Sequence, residues 1–477
     1  MSPLWTSDAM IEAMNGRPVG KLPEGITGIS IDTRTLKQGE AFFAIKGDAL
    51  DGHDFATAAV AAGAALLVVA EAKLPALGKL KAPMIVVDDV LAAMTRLGIA
   101  SRARSNAQII AVTGSVGKTT TKEALRHVLA TSGKVHASAA SFNNHWGVPL
   151  TLARMPADTD YGVFEIGMNH PDEIRPLVKM VRPHVALITL IAAAHLGHFK
   201  NLQEIAAAKA EIFEGVVPGG YALLNRDDKH FKPLEKMAKD AGVEHIKTFG
   251  ENARADYRLV KLKLLGDCSC MTARLAGEEA VVKIGAPGRH IVQNVLGVLG
   301  AAHLAGADMA KATLALASLR PESGRGARHT LEVAKGTFTL IDESYNANPA
   351  SMRAAIELLA AATPTGRGRR IAVLGDMLEL GKQAPKLHAE LASVIADNHI
   401  NMVFLGGPEM EALKAAMPVE FHAEYRQSVE ELQPQLLKTI RAGDVIMIKS
   451  SKGTGFSQIV KTLLQKYNSI EPAGPAE

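Results

Sequence analysis

The chain is poor in the residues that mark secreted, metal-rich or membrane proteins. It has two cysteines in 477 residues, Cys268 and Cys270, separated by one position. Side chains so close in sequence rarely bridge, and two thiols build neither a disulfide framework nor a four-ligand zinc site. A reducing compartment is expected. Aromatic residues are only 4%, so the core must be assembled from Ala, Val, Leu and Ile. Net charge is small, +4 from 53 basic and 49 acidic residues, which argues against nucleic acid or an anionic membrane as the main partner. The longest stretch free of charge and histidine, Phe55–Ala70, is shorter than a membrane span. Asp8 and Glu12 stand where a signal peptide would need its apolar run. A cytoplasmic protein without membrane insertion is therefore expected. What remains is 47% hydrophobic and 21% charged, ordinary for a folded protein, and long enough for about three domains.

The pattern along the chain is α/β, in three blocks placed at 1–90, 91–318 and 319–477. In the first, Gly28–Asp32, Phe42–Ile45, Leu66–Val69 and Met84–Val87 read as strands, and Phe55–Gly63 as a helix. The second alternates strands Ile109–Thr113, Tyr161–Ile166 and Val185–Leu190 with helices Lys118–Thr131, Asp172–Val181 and Leu202–Phe213. That rhythm predicts a mostly parallel sheet with helices on its faces. Residues 256–284 lack helical periodicity and read as an antiparallel patch, followed by a helix from about Ile291. Pro321, Ser323, Gly324 and Gly326 mark a boundary at Leu319–Arg328. Beyond it a second α/β unit follows: strands Phe338–Ile341, Ile371–Leu374, Met402–Leu405 and Val445–Ile448, helices Ser351–Ala362 and Leu387–Ala396, and a Pro- and Gly-containing tail from Glu471.

The sharpest local signal is Thr113-Gly114-Ser115-Val116-Gly117-Lys118-Thr119-Thr120, which follows an apolar strand and opens a helix. Gly114 and Gly117 let the backbone turn its N–H groups towards phosphate oxygens. The helix N-terminus adds positive potential, Lys118 neutralises the outer phosphates, and Thr119 suits Mg²⁺. The usual spacing places a glycine at position 112, which here is Val112, so this is the short form of the loop. Glu165, at the end of a neighbouring strand, is placed to complete a Mg²⁺ shell of oxygen ligands. Asn143, Asn144 and His145 either cap a helix near Gly147 or meet a ligand. His195 and His198 lack a third ligand at metal spacing, so zinc is not expected. Lys209, on an Ala-rich helix, reads on its own as a solvated lysine. Arg367–Arg370 reads as a solvated loop, and Gly453-Thr454-Gly455 as a turn into a helix.

Together these segments resemble the Mur ligases of peptidoglycan synthesis. The resemblance rests on the short loop, Asn143-Asn144, Glu165-Ile166-Gly167-Met168-Asn169-His170, Ala193-Ala194-His195-Leu196 and Ala208-Lys209-Ala210-Glu211-Ile212-Phe213. Further along, Gly288-Arg289-His290 with Asn294, Gly324-Arg325, Asp342-Glu343-Ser344-Tyr345-Asn346-Ala347-Asn348-Pro349 and Leu374-Gly375-Asp376-Met377-Leu378-Glu379-Leu380-Gly381 carry it. The last two strings are similar to the branch that joins D-alanyl-D-alanine to UDP-N-acetylmuramoyl-tripeptide. The diaminopimelate-adding branch would carry an Asp-Asn-Pro-Arg string, which is absent here. A folylpolyglutamate synthetase-like ligase and a nucleotide-driven switch are the other readings, the latter separable by whether phosphate release needs an amine acceptor.

The resemblance implies an N-terminal mixed α/β domain for the UDP-sugar, a central ATPase domain with a mostly parallel sheet, and a C-terminal Rossmann-like domain for the dipeptide. It implies ATP and Mg²⁺ as cofactors; with no nucleic-acid partner expected from the charge, a monomer is also expected. Lys118 and Thr119 match the phosphate and Mg²⁺ positions, Glu165 a metal-binding carboxylate, and His195 a histidine beside the metals. Lys209 matches a lysine that several members carry as a carbamate. Asn294, Arg325, Asp342 and Glu343 match nucleotide-contacting positions, Glu343 replacing the more usual second aspartate. Thr33, Arg34, Lys46, Asp51 and His53 match the UDP-sugar segment. Asn143, Asn144, Asn346 and Asn348 are expected to meet substrate.

Overall fold

A computed structural model describes residues 3–194 and 196–470; His195 and the tail from Glu471 lie outside the described residues. Three large sheets organise the described residues, beside a two-stranded pairing of Trp5–Thr6 with Gly25–Ile26. The N-terminal five-stranded sheet runs Arg17–Val19, Met84–Val87, Leu66–Ala70, Glu40–Phe43, Gly28–Ser30, antiparallel at the first pair and parallel after it. The central sheet has nine strands. Six form a parallel block from His245–Gly250 through Tyr221–Asn225, Val185–Ile188, Gln108–Thr113 and Tyr161–Glu165 to Val135–Ala137. Tyr257–Leu264, Ser269–Leu275 and Glu278–Ile284 extend it as the expected antiparallel patch. In the C-terminal sheet of seven strands, Gly336–Glu343, Val445–Lys449, Arg370–Gly375, Met402–Gly406 and Ala423–Arg426 are parallel.

The strand before the glycine loop shows why its sequence reads as an unbroken apolar run. Ile110 and Val112 pack into the core on one face, while Ile109 and Ala111 pack into the core on the other. Burial of both faces is what a parallel sheet covered by helices demands. It also leaves the loop at the strand's carboxyl end, where open α/β sheets bind ligands.

Three predicted helices differ from their expected bounds, the first through specific hydrogen bonds. The helix expected from Asp172 starts at Ile174. The buried carboxylate of Glu211 takes the N–H groups of Asp172 (2.7 Å) and Arg175 (2.9 Å), and Asp172 has φ 67°. The helix from Leu202 ends at Ala210 and tightens into a 3₁₀ turn over Glu211–Gly215, which places Glu211 for that role. The helix predicted over Leu387–Ala396 divides into Ala384–Ala389 and Leu391–Asp397.

The N-terminal unit is fastened to the central one. The Trp5 indole N–H donates to the Ala153 carbonyl at 2.8 Å, and the Arg104 guanidinium lies 3.4 Å from the centre of the Trp5 ring. Leu150 and Ala153 share a core with Met10, Met94 and Leu97. The C-terminal unit is held more sparsely: the Gly197 N–H donates to the Glu379 carbonyl at 2.9 Å, and Tyr345 and Arg325 reach the central unit at one serine, described below.

Leu319 packs into the central core, and His127 reaches the Ala315 carbonyl at 2.8 Å, so the central unit closes at the end of its last helical turn. A chain ending after Arg320 is therefore expected to fold and to bind a non-hydrolysable ATP analogue in isothermal titration, while losing ligation completely. Dipeptide-dependent ligation by that shortened chain would overturn the division of labour.

Candidate active site

The glycine loop is shaped by what packs against it. Gly117 has φ 84° and Gly114 φ 150°. A Cβ on Gly114 would lie 1.9 Å from Thr189 Oγ1, whose hydroxyl donates to the Val116 carbonyl at 2.5 Å. The neighbouring strand thus ties down the short loop, so a glycine at 112 is unnecessary and Val112 serves the core. A Cβ on Gly117 would meet the Asn294 carboxamide at 2.8 Å, which puts Asn294 against the loop. Ser115 is buried and its hydroxyl has no partner, as does that of Thr113. A phosphate oxygen would satisfy the Ser115 group, since buried polar atoms are normally paired.

Lys118 donates to the Gly114 carbonyl at 2.7 Å. Burial lowers its pKa; Glu165 pulls the other way and Arg325 adds to the lowering. Thr119 donates to Glu165 Oε2 at 2.8 Å, and Asn143 donates to Glu165 Oε1 at 2.7 Å. Both carboxylate oxygens are therefore oriented from opposite sides, with Glu165 almost wholly buried. These are hard oxygen donors, and Thr119 and Glu165 suit Mg²⁺. Among the described residues no group of three His, Cys, Asp or Glu side chains is placed to hold a metal, so such an ion would draw its remaining oxygens from elsewhere.

Lys209 is buried rather than solvated. Burial, with the nearby Lys118 charge, pushes its pKa well below that of an ordinary lysine. It is not the solvated lysine that its Ala-rich surroundings suggest: helix Leu202–Ala210 turns it inwards.

The loop faces a cavity of about 530 Å³ between the central and C-terminal units. Lys118, Thr119, Thr120, Asn143, Glu165 and Asn294 line it from the central side; Arg325, Glu343, Tyr345, Asn346, Asn348 and Lys449 line it from the other.

Three family segments match this chain: a Mur ligase family catalytic domain at 25–102, a Mur ligase middle domain at 112–302, and a Mur ligase glutamate ligase domain at 328–452. The UDP-N-acetylmuramoyl-tripeptide–D-alanyl-D-alanine ligase of Rickettsia prowazekii is 32% identical over 91% of this chain and 94% of its own. The Bacillus subtilis protein of the same name is 33% identical over 92% and 93%. The chain belongs to the Mur ligase family. A crystal structure of MurF from Acinetobacter baumannii superposes with a TM-score of 0.83, at 29% identity, covering 97% of this chain and 99% of that one.

In this Mur ligase several expected contact residues have internal partners. Asn144 is a cap, its side chain accepting from the Gly147 N–H at 3.0 Å. Asn348 caps helix Pro349–Ala361 in a reciprocal pair with Ser351. Asp342 is buried and does not line the cavity: its carboxylate takes the Gly324 N–H (2.7 Å), the Ser323 hydroxyl (3.1 Å) and the Ser344 hydroxyl (2.6 Å), which pins the linker that presents Arg325. Glu343 forms a 3.0 Å ion pair with the buried Lys449. In the N-terminal unit, Thr33, Arg34, Lys46, Asp51 and His53 follow strand ends of one sheet and none lines the central cavity. The exposed Arg34 pairs with Asp32, holding that carboxyl down at about 2. Lys46 is exposed. Asp51 accepts from Lys73 at 2.8 Å and meets His53 Nδ1 at 2.6 Å, and His53 Nε2 accepts from the Ala70 N–H at 2.9 Å. Asp51 and His53 thus fix the loop rather than lie open.

Sequence reasoning passed over Lys122, Ser141, Tyr345, Lys449 and Lys452. Lys122 is fully buried; it donates to the carbonyls of Ser138 (2.8 Å) and Ala140 (2.7 Å) and pairs with Glu123 at 2.6 Å. It shapes the loop that carries Ser141 and Asn143. No local pattern marks it, because a Lys followed by Glu on a helix usually faces solvent.

Two outcomes follow from this geometry. Lys118→Ala should fold normally yet lose at least about a hundredfold in turnover, the scale of one lost charge-stabilising group. Lys122→Met should lower unfolding stability by about 2 kcal/mol in urea titration, since it strands the carbonyls of Ser138 and Ala140 and leaves Glu123 with Arg126 alone. Near-normal turnover in the first, or unchanged stability in the second, would refute the corresponding role.

Proposed function

We propose that this Mur ligase joins D-alanyl-D-alanine to UDP-N-acetylmuramoyl-tripeptide at the expense of ATP, in the cytoplasm and as a monomer. One observation carries the residue-level reading: the phosphate loop and the strand ends of the C-terminal unit open into the same cavity. A nucleotide on one wall and an amine acceptor on the other would meet there. The overall length and the 32% identity to the Rickettsia prowazekii ligase support the same assignment.

In this reading the tripeptide's terminal carboxylate attacks the γ-phosphorus, the β–γ bridge bond breaks, and ADP leaves. The dipeptide's amine then attacks the acyl-phosphate carbon, giving a tetrahedral intermediate that expels phosphate and loses a proton to form the amide. Lys118 and the loop N–H groups hold the charge that moves onto the leaving oxygen. Arg325 faces the same loop from the linker. Thr119 and Glu165 would hold Mg²⁺, which when bound offsets phosphate charge. Asn143 keeps Glu165 aimed. His195 and Lys209 complete the proposed set, Lys209 as a carbamate: a depressed pKa leaves a neutral amine able to take up CO₂. Asn294 and Glu343 would face the nucleotide from the two walls of the cavity, and Asn346 the acceptor. The UDP end would lie on the N-terminal unit, where Arg34 and Lys46 present exposed positive charge.

The deciding assay is ADP release with UDP-N-acetylmuramoyl-tripeptide, with and without D-alanyl-D-alanine; ADP release that ignores the dipeptide would refute the ligase reading. Lys209→Ala should lose most activity and regain part of it with added formate or acetate, small anions that fit the vacated space. Wild-type activity in that variant would remove the carbamate from the mechanism.

A further inference from the structure

Tyr345 sits where three parts of the chain converge. Its ring has the Arg325 guanidinium at 4.0 Å on the linker and the Lys452 ammonium at 5.5 Å on the loop after strand Val445–Lys449. Its backbone N–H donates to the Gly324 carbonyl at 3.1 Å. Gly324 has φ 76°, and a Cβ there would lie 2.8 Å from Tyr345 Cβ. Linker and strand end therefore form one piece, held by Asp342 on Gly324. That piece meets the central unit at Ser141. The Tyr345 hydroxyl donates to Ser141 Oγ at 2.8 Å, and Arg325 approaches the same oxygen at 3.4 Å. Ser141 Oγ in turn lies 3.5 Å from Thr119 Oγ1, which donates to Glu165.

We propose that Tyr345 is a positioning residue for the reaction, its hydroxyl coupling the seating of the C-terminal unit to the Thr119–Glu165 pair through Ser141. With Thr119 donating to Glu165, Ser141 donates to Thr119 and accepts from Tyr345, so the proton directions are consistent along the whole row. The hydroxyl is made available to the phosphate site only when the C-terminal unit is in place. The two cations beside the ring, Arg325 at 4.0 Å and Lys452 at 5.5 Å, steady it with its hydroxyl on Ser141. Nothing in this requires the tyrosine to touch reacting atoms. The inference rests on the ligase reading only for its activity readout.

Tyr345→Phe removes the hydroxyl and keeps the ring beside its two cations. Turnover should fall about five- to tenfold, the scale of one hydrogen bond, while KM for UDP-N-acetylmuramoyl-tripeptide stays within about twofold because that substrate's nucleotide end is held on another unit. Ser141→Ala should show the same loss, and the double variant should be no more than about twofold below either single one, as for two partners in one interaction. Losses that multiply in the double variant, or wild-type turnover in Tyr345→Phe, would overturn the proposal. A second measurement needs no activity: trypsin cleavage of the intact protein after Arg325 in the presence of a non-hydrolysable ATP analogue. It should be slow in the wild type and about fivefold faster in Tyr345→Phe, the same loss of one hydrogen bond seen as opening; equal rates would overturn it. Should the wild type release ADP without needing the dipeptide, the ligase reading fails while the trypsin comparison still decides the role of Tyr345.

Discussion

A buried carboxylate with both oxygens spoken for sets the geometry on which the rest of this molecule depends. Glu165 receives Thr119 on one oxygen and Asn143 on the other. The three residues come from the helix after the glycine loop, the end of a neighbouring strand and the loop beyond Ser138. A carboxylate removed from water must be hydrogen-bonded or paired, and here those bonds also fix the mutual position of the elements that would receive a triphosphate. Lys122 meets the same demand from beneath, with its ammonium on two carbonyls and Glu123.

The contrast between the two domain junctions follows from the kind of surface each buries. The N-terminal unit shares a hydrophobic core with Leu150 and Ala153 and is further held by Trp5 and Arg104. Apolar sharing of this kind makes the pair behave as one body. The C-terminal unit meets the central one across a polar cavity, through polar contacts at Ser141, the Gly197–Glu379 backbone bond and the Arg328 guanidinium on the Gly266 carbonyl. A junction made of polar contacts leaves relative motion available, and a ligase that must admit three substrates and then exclude water has use for it.

The resident structural roles of Asp51, His53, Asn144, Asn348 and Asp342 show how a motif can be read correctly and its members still differ in task. Asp51, Asn144 and Asn348 sit in turns or at helix starts, where the side chain finds a backbone N–H within a few residues, while His53 and Asp342 take backbone N–H groups 17 and 18 positions away. Polarity in such a place signals a cap as readily as a ligand contact. Only the partners in space separate Asn143, aimed at Glu165, from Asn144, aimed at Gly147.

Sequence alone determined the alternation of strands and helices, the glycine loop between an apolar strand and a helix, and the three-part plan, because these follow from local periodicity and short-range turn chemistry. It also carried the family resemblance, which rests on strings of contiguous residues. Tertiary structure alone decided that Lys209 and Lys122 are buried, that Ser141 lies beside Tyr345 across 204 positions of chain, and that Asp342 serves the linker. Burial and long-range contact depend on which helix face meets which sheet and on how two sheets are set against each other, and neither is written in the neighbours of a residue.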